Sequence, residues 1–236
     1  MRMVFILLLC VAVVSAFGQG HIMESIEANP PDGLLFGTTF NDGSARDWSD
    51  GGNNGTITTP TFSPGAHGGA FEFNGSSDYI GLGNSSRLNP RVNITFCIWA
   101  ESPVVSVAGA RWVLGRDDNA LGRSYAFGKA TGKHELQISG GGTINRQGTA
   151  MVNDTWYHYA AVGSAATGWD TYLDGAHNGS AGWSVPNATT GATTIGKRTL
   201  NVSQLWWQGQ IAEVLMFDRV LSAIELLYWV EKGLSQ

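Results

Sequence analysis

Two neighbouring runs of sequence decide the fold of the chain: Trp156-Tyr157-His158-Tyr159-Ala160-Ala161-Val162 and Thr171-Tyr172-Leu173-Asp174-Gly175. Aromatic and β-branched residues dominate both runs, and such residues favour extended strands. The Asp174-Gly175 pair tolerates the positive φ values that a tight hairpin turn requires. The two runs therefore predict antiparallel strands that are joined by short turns.

Similar runs recur on both sides of this stretch, with Gly, Asn and Asp between them. Gly accounts for 32 of the 236 residues, about twice its usual share, and it follows no collagen-like period. Many short strands joined by tight turns predict an all-β fold, an antiparallel β-sandwich. The predicted strands are Leu34–Phe40, Ala70–Phe73, Tyr79–Leu82, Ile94–Trp99, Trp112–Leu114, Tyr125–Phe127, Glu135–Ile138, Trp156–Val162, Thr171–Leu173, Thr193–Ile195 and Ile211–Phe217.

One segment near the C-terminus has the pattern of a short helix. Ser222 and Glu225 have the spacing of a capping box, in which each side chain accepts a hydrogen bond from a free backbone N–H of the first turn. Gly233 is a candidate stop. The apolar residues that repeat at helical spacing are Leu221, Ile224, Leu227 and Tyr228.

The charge balance argues against one class of partner. Charged residues make up 14% of the chain, the formal net charge is −5, and Lys and Arg form no run. A protein that binds nucleic acid needs a basic surface to displace counterions from phosphates. The sequence therefore predicts no nucleic-acid partner.

The N-terminus has the pattern of a secretory signal peptide, which we assign to residues 1–18. A basic start, Met1-Arg2, precedes the apolar run Met3–Val14, and small residues follow. Spanning a bilayer takes about 20 apolar residues, so this run is too short to cross. The alternatives are a buried strand or a membrane anchor. We expect a mature chain without a membrane span that is secreted and extracellular, or held in the periplasm or at the cell surface.

The mature chain divides into a polar lead-in, residues 19–32, and one domain, residues 33–236. Loss of the leader removes Cys10 and leaves Cys97 alone, so no internal disulfide is expected. Cys97 lies in a strand-like run, which predicts a buried and inert thiol.

The order and spacing of several motifs resemble the laminin-G-like, or concanavalin A-like, jelly-roll domains of secreted proteins. The most specific motif is Gly209-Gln210-Ile211-Ala212-Glu213-Val214, followed by Asp218–Glu225. The resemblance covers nearly the whole mature chain and implies a jelly-roll sandwich with one short C-terminal helix. It identifies a scaffold, so function must be argued from a site on it. The other matching pieces are Phe40–Gly43, Asp50–Thr56, Gly69–Gly75, Asp78–Ile80, Ile94–Trp99, Trp156–Ala160 and Tyr172–Gly175.

Catalytic motifs are missing from the sequence. Related glucanases on this fold carry a Glu-x-Asp-x-x-Glu cluster, which supplies the nucleophile and the acid of glycoside hydrolysis, and no such cluster occurs here. There is no Gly-x-Ser-x-Gly elbow, His-Glu-x-x-His helix or phosphate-binding loop. We therefore predict that the protein is not an enzyme. A triad assembled from distant parts of the chain stays open.

Tryptophan supplies the candidate sugar-binding residues. The chain has nine Trp residues, and pyranose rings stack on exposed aromatic faces while polar neighbours bind the hydroxyl groups. The first candidate is Trp183, followed by Trp169 with Asp170 and then Trp112 with Arg111. The alternative is that these Trp side chains cover the edges of the sandwich, because Trp is highly buried on average.

Calcium is the one cofactor that the resemblance implies, because some members hold a structural ion between the opening loop and the last long strand. The candidate oxygen ligands here are Asp42, Asp47, Asp50 and Glu213. Ala212 stands where the family usually has Asp, so one side-chain ligand is missing. The alternative is that these acids stabilise turns and caps.

The residues and motifs allow three functions. The first is a secreted, non-catalytic, lectin-like domain that recognises an extracellular glycan. The second is a structural or adhesive module that binds another extracellular protein, and the third is an unrecognised glycoside hydrolase. A glycan site predicts Trp clustered in one concavity, a protein site predicts a flat apolar patch, and an enzyme predicts perturbed titratable groups in a cleft.

Overall fold

A computed structural model of the chain describes residues 30–65, 68–106, 108–118, 122–138, 142–144, 150–198 and 206–234. The predicted signal peptide, residues 1–18, lies outside the described residues. Two antiparallel sheets pack face to face, which confirms the predicted β-sandwich. Every strand predicted from the sequence belongs to one of the two sheets.

The first sheet has eight strands within the described residues. They are β1 (Leu34–Thr38), β3 (Thr61–Gly65), β4 (Gly68–Asn74), β6 (Asn93–Ala100), β11 (Tyr157–Ser164), β12 (Gly168–Leu173), β13 (Ala176–Ala181) and β15 (Gln208–Phe217). Their order is β13-β12-β11-β6-β15-β4-β3, and β1 pairs with β15 outside this path. We call this layer the eight-stranded sheet.

The second sheet has seven strands in the described part of the chain. They are β2 (Thr56–Thr58), β5 (Tyr79–Gly81), β7 (Ala110–Asp118), β8 (Gly122–Ala130), β9 (Lys133–Ile138), β10 (Gly142–Ile144) and β14 (Thr193–Ile195). Their order is β10-β9-β8-β7-β14-β5-β2. We call this layer the seven-stranded sheet.

The predicted hairpin connects β12 to β13. Asp174 has φ 50° and Gly175 has φ 75°, so both turn residues adopt the left-handed conformation of a tight two-residue turn. The Asp174 carboxylate also accepts a hydrogen bond from the His158 backbone N–H on β11, at 2.8 Å. The turn residues therefore set the register of this hairpin and fasten its tip to the neighbouring strand.

The main core lies between the two sheets, and strand alternation divides β6 between two environments. Phe96 and Ile98 point into the core between the sheets, whereas Cys97 points to the opposite face. Cys97 is a free, completely buried thiol, and burial raises its pKa well above the usual value. The predicted buried thiol is therefore confirmed.

A helix, α1 (Ala223–Leu234), covers part of the face that Cys97 points to. The predicted capping box is present, because the Ser222 backbone N–H donates to Glu225 Oε2 at 2.8 Å and the Glu225 N–H donates to Ser222 Oγ at 3.4 Å. Gly233 lies inside the helix rather than after it. A Cβ there would meet Trp99 Nε1 at 1.8 Å, so glycine allows the helix to approach the sheet closely.

The buried face of α1 differs from the apolar repeat found in the sequence. Ile224, Leu227 and Tyr228 are exposed by 64%, 46% and 37%. The helix is apolar on two faces, and the face that packs on the sheet is the one with the larger aromatic residue. Its buried residues are Leu226, Trp229 and Val230. No helix among the described residues has the length and apolar character needed to span a membrane.

Candidate functional site

The face of the seven-stranded sheet that points away from the core is the candidate site, and we call it the outer face. Ile80 of β5 is buried in the core, so strand alternation turns Tyr79 and Gly81 to the outer face. The register places Gly81, Thr194 and Gly115 side by side across β5, β14 and β7. These three residues are small, so their row lies low in the outer face, and we call it the floor.

The chain that follows β14 crosses the outer face above this floor. A Cβ on Gly115 would meet Arg198 Cα at 3.0 Å and the Lys197 carbonyl oxygen at 3.1 Å. Thr194 Oγ1 donates a hydrogen bond to the Lys197 carbonyl oxygen at 3.0 Å. The absence of a side chain at Gly115 therefore permits the crossing, which delivers Lys197 and Arg198 to the outer face.

Three partly exposed side chains form what we call the aromatic cluster: Tyr79, Lys197 and Trp206. The two ring centroids lie 6.1 Å apart at an interplanar angle of 63°. Lys197 Nζ lies 3.7 Å from the Tyr79 ring centroid and 4.7 Å from that of Trp206. Both distances are within the range of a cation–π contact. Partial burial lowers the pKa of Lys197.

A second group, the arginine cluster, consists of Asp117, Arg123 and Arg198. Arg198 Nε lies 2.6 Å from Asp117 Oδ2, and Arg123 Nε lies 3.6 Å from Asp117 Oδ1. Burial raises the pKa of Asp117 to about 6, although both guanidinium groups oppose this rise. Two guanidinium groups carry more N–H donors than one carboxylate can accept, so this cluster is suited to binding oxygen acceptors.

The predicted ligand residues Trp112 and Arg111 lie next to the aromatic cluster. Arg111 Nη1 donates to the Trp206 carbonyl oxygen at 3.2 Å, and Trp112 pairs with Trp206 in an isolated bridge. Trp112 is completely buried, so it exposes no ring on which a sugar could stack. The structure therefore makes these two residues a support for Trp206.

The predicted ligand residue Trp169 lies on β12 of the eight-stranded sheet, and Trp183 lies in the segment that follows β13. Trp169 is completely buried in the core, and its Nε1 donates to the Ser184 carbonyl oxygen at 3.2 Å. Trp183 is partly buried and stacks on Trp169, with centroids 5.2 Å apart and an interplanar angle of 15°. Trp169 thus has no face available to a ligand, and Trp183 covers it.

Asp170 follows Trp169 but points to the opposite side of β12. Its Oδ1 accepts a hydrogen bond from Ser180 Oγ at 2.5 Å and lies 3.2 Å from His177 Nε2. The five ligand residues predicted from the sequence therefore fall into two separate groups. The residues of the two clusters were not among them, although Trp206 is one of five Trp residues that fall in or beside predicted loops.

Replacing Trp183 with alanine is expected to lower the free energy of unfolding by about 1–2 kcal/mol, because the stacking contact and the cover over Trp169 are lost. Trp183→Phe keeps a ring on Trp169 and should retain most of the stability. Urea denaturation measures both variants. A several-fold loss of glycan affinity at unchanged stability would instead place Trp183 in a ligand site.

Asp47, one of the predicted calcium ligands, uses its carboxylate to close the loop after β1. Its Oδ1 accepts from the backbone N–H groups of Gly37 at 3.2 Å and Ser49 at 2.9 Å. Its Oδ2 accepts from the N–H of Asn53 at 2.8 Å and from Asn53 Nδ2 at 3.2 Å. N–H donors therefore occupy both oxygens that a calcium ion would need.

The other predicted calcium ligands lie in different surroundings. Asp42 and Asp50 are exposed in the loop after β1, and Asp42 accepts two hydrogen bonds from Ser44. Glu213 is buried on β15, where its charge acts on Cys97 and Tyr228, and burial raises its pKa to about 8. Among the described residues, no group of three or more His, Cys, Asp or Glu could hold an ion. A site built from these four acids does not fit the structure, and calcium binding stays a prediction.

Comparison with known proteins concerns the fold and the family of the chain. A model of the concanavalin A-like lectin/glucanases superfamily matches residues 74–226, more than half of the chain. No curated protein matches the sequence. The binding domain of Paraclostridial Mosquitocidal Protein 1 superposes with a TM-score of 0.68 at 11% identity, covering 84% of this chain and 52% of that chain.

Two further solved structures share the fold. Domain 4 of AbnA, a GH43 extracellular arabinanase from Geobacillus stearothermophilus in complex with arabinotriose, gives a TM-score of 0.63 at 17% identity, covering 86% of this chain and 98% of that chain. The binding domain of botulinum neurotoxin DC in complex with rat synaptotagmin II gives 0.66 at 9% identity, covering 86% and 52%. This chain thus spans about half the length of both toxin chains. The matched motifs, the two-sheet architecture and the family model agree: the chain belongs to the concanavalin A-like lectin/glucanase superfamily.

Proposed function

We propose that this protein is an exported, non-catalytic carbohydrate-binding domain that recognises an extracellular glycan on the outer face. The observation that carries the proposal is that the two clusters adjoin. Lys197 of the aromatic cluster and Arg198 of the arginine cluster are neighbours in sequence and lie over the same floor. Sugar C–H groups stack on partly exposed rings such as those of Tyr79 and Trp206. Sugar hydroxyl oxygens accept hydrogen bonds from guanidinium groups.

The carboxylates of the outer face favour binding over catalysis. Asp117 is ion-paired with two arginines, and Glu135 of β9 is completely buried and accepts a hydrogen bond from Gln137. Glycoside hydrolysis needs one carboxyl group free to donate a proton and another free to attack the sugar or to activate water. Two buried and engaged carboxyl groups are poorly suited to either task. The arabinanase domain, which shares the fold, was solved with an arabinose oligomer.

A glycan array of the purified mature chain, run with calcium and again with a chelator, tests the proposal. We expect reproducible binding to one class of glycan. Loss of binding in chelator would support the predicted calcium, with ligands other than the four acids proposed from the sequence. No binding in either condition would contradict the proposed function.

Replacing Trp206 or Tyr79 with alanine is expected to weaken glycan affinity by about tenfold, because a stacking ring worth about 1.4 kcal/mol is removed. Isothermal titration calorimetry with the best glycan from the array measures this. Tyr228→Ala is a matched control, because Tyr228 is an exposed aromatic residue on α1, which packs on the other sheet. Equal affinities for all three variants would remove the aromatic cluster from the site.

A second candidate function, adhesion to a protein partner, has its own observation. Val220, Ile224, Leu227 and Tyr228 expose a continuous apolar stripe on α1 and on the segment that leads into it. The neurotoxin domain with this fold was solved with a protein, synaptotagmin II. This candidate would be favoured if the glycan array shows no binding and if Leu227→Ser loses binding to a protein partner.

A further inference from the structure

A second concavity lies in the loop after β1, away from the outer face. It has a volume of about 150 Å³ and is lined by residues 38–42, Arg46 and Trp48. This volume is well below the roughly 300–1,000 Å³ of pockets that enclose drug-sized ligands. The cavity is therefore suited to one small ring and is too small for an oligosaccharide.

The indole ring of Trp48 forms part of the wall of this cavity. Trp48 is 7% exposed and packs against Gly37, where a Cβ would lie 3.2 Å from two atoms of the indole ring. Its buried Nε1 has no hydrogen-bond partner among the described residues. This nitrogen has almost no accessible surface, so Trp48 bounds the cavity as an apolar wall and does not donate to a ligand in it.

The mouth of the cavity carries one acceptor and one donor of opposite charge. Asp42 is exposed, and its hydrogen bonds with Ser44, at 2.9 and 2.7 Å, both use Oδ1. These bonds and the nearby Arg46 guanidinium lower the pKa of Asp42, so the carboxylate is ionised at neutral pH. A carboxylate beside a guanidinium matches adjacent hydroxyl groups, because each hydroxyl both donates and accepts.

The loop that forms the cavity is held in a fixed shape. Phe40, in the lining, has φ 57°, an outlier for a bulky residue, and its ring packs edge-on against Phe71 at 5.2 Å. The four hydrogen bonds of the Asp47 carboxylate close the other end of the loop. Strained backbone that the surrounding structure enforces is concentrated at binding sites.

We propose that this cavity binds a single sugar ring, or another small vicinal diol, through Asp42 and Arg46, with the Trp48 ring as part of its wall. The ring can be a free monosaccharide or the terminal residue of a glycan, since both present the same adjacent hydroxyl groups. The inference goes beyond the proposed function, because no residue that lines the cavity lies on the outer face.

Titration of the mature chain with a panel of monosaccharides and with glycerol, followed by NMR or calorimetry, tests this inference. We expect millimolar binding of at least one monosaccharide and weaker binding of glycerol. Asp42→Asn and Arg46→Gln should each weaken the monosaccharide at least fivefold, and both residues are exposed, so the fold should be retained. A methyl glycoside that binds as well as the free sugar would identify a glycan end as the natural ligand.

Trp206→Ala separates the two sites, because it should weaken the oligosaccharide while Asp42→Asn still weakens the monosaccharide at least fivefold in that background. Absence of monosaccharide binding, or binding that Asp42→Asn does not alter, would overturn the cavity site and leave the outer face untouched. Loss of oligosaccharide binding alone would instead contradict the proposed function.

Discussion

Glutamine in place of Glu213 is expected to raise the free energy of unfolding by about 3 kcal/mol at pH 7. Burial raises the pKa of Glu213 from 4.5 to about 8, and its Oε1 has no hydrogen-bond partner among the described residues. The folded state must therefore take up a proton at neutral pH, which costs about 1.4 kcal/mol for each pH unit above 4.5. Glutamine has a similar shape and no such cost.

The raised pKa of Glu213 also fixes the direction in which its effect on stability changes with pH. Because the folded pKa is the higher one, the contribution of Glu213 to stability is fully present below pH 4.5 and is lost as the pH rises through about 8. The gain from Glu213→Gln should thus vanish at pH 4 and grow toward pH 8. Urea unfolding across this range measures it, with the exposed helix residue Glu231→Gln as control. A gain that does not vary with pH would contradict the assignment.

Replacing Asp117 with alanine is expected to weaken glycan binding at least a hundredfold and to lower the free energy of unfolding by about 2 kcal/mol. Arg198 and Arg123 would lose their shared carboxylate, although their side chains are only 12% and 27% exposed. Two charge-assisted hydrogen bonds to the ligand, worth about 1.5–3 kcal/mol each, depend on where these guanidinium groups are held. The loss of stability is moderate because the burial of Asp117 is itself unfavourable.

Calorimetry and urea denaturation on the same variant measure the two effects. Asp118→Asn is the matched control, because Asp118 is the adjacent acid on β7 and accepts from the Thr190 backbone N–H. Since the pKa of Asp117 is about 6, the affinity of the wild-type protein should also fall as the pH drops below 6. A folded Asp117→Ala variant with unchanged affinity would exclude the arginine cluster from binding.

The strands that the sequence did not predict share one position in the fold. β13 and β3 end the eight-stranded sheet, and β10 and β2 end the seven-stranded sheet. An edge strand pairs on one side only and covers less of the core, so its sequence carries a weaker apolar pattern. β3 even contains Pro64, which is tolerated at an edge. The interior strands were predictable because both neighbours impose that pattern.

Exposure of the aromatic residues could not be predicted from residue type. Trp206 and Trp207 are adjacent, yet Trp207 is completely buried in the core while Trp206 lies at the outer face. Only their positions distinguished them in the sequence, because Trp207 matches a core position of the family and Trp206 falls beside a predicted loop. For Tyr79 a usable signal existed. Side chains alternate between the two faces of a strand, so the apolar Ile80 in the core indicates that its neighbour Tyr79 points outward. The placement of Lys197 and Arg198 was not predictable, because it depends on a chain crossing that only the folded structure contains.

The acids raise a similar ambiguity. Carboxylates suit calcium and they also suit backbone N–H groups, so the composition of the loop after β1 allowed both interpretations. In the structure, the Asp47 carboxylate accepts hydrogen bonds from backbone N–H groups. The helix was ambiguous for a related reason: α1 is apolar on two faces, and periodicity alone does not identify the one that packs.

The free thiol of Cys97 gives the protein a built-in reporter of motion. It is completely buried in a cluster that includes Leu226 and Trp229 of α1. A water-soluble thiol reagent can reach it only while the helix is lifted from the sheet or the whole domain is unfolded. Labelling rates below the unfolding transition therefore read out how often the helix detaches, without any engineered probe.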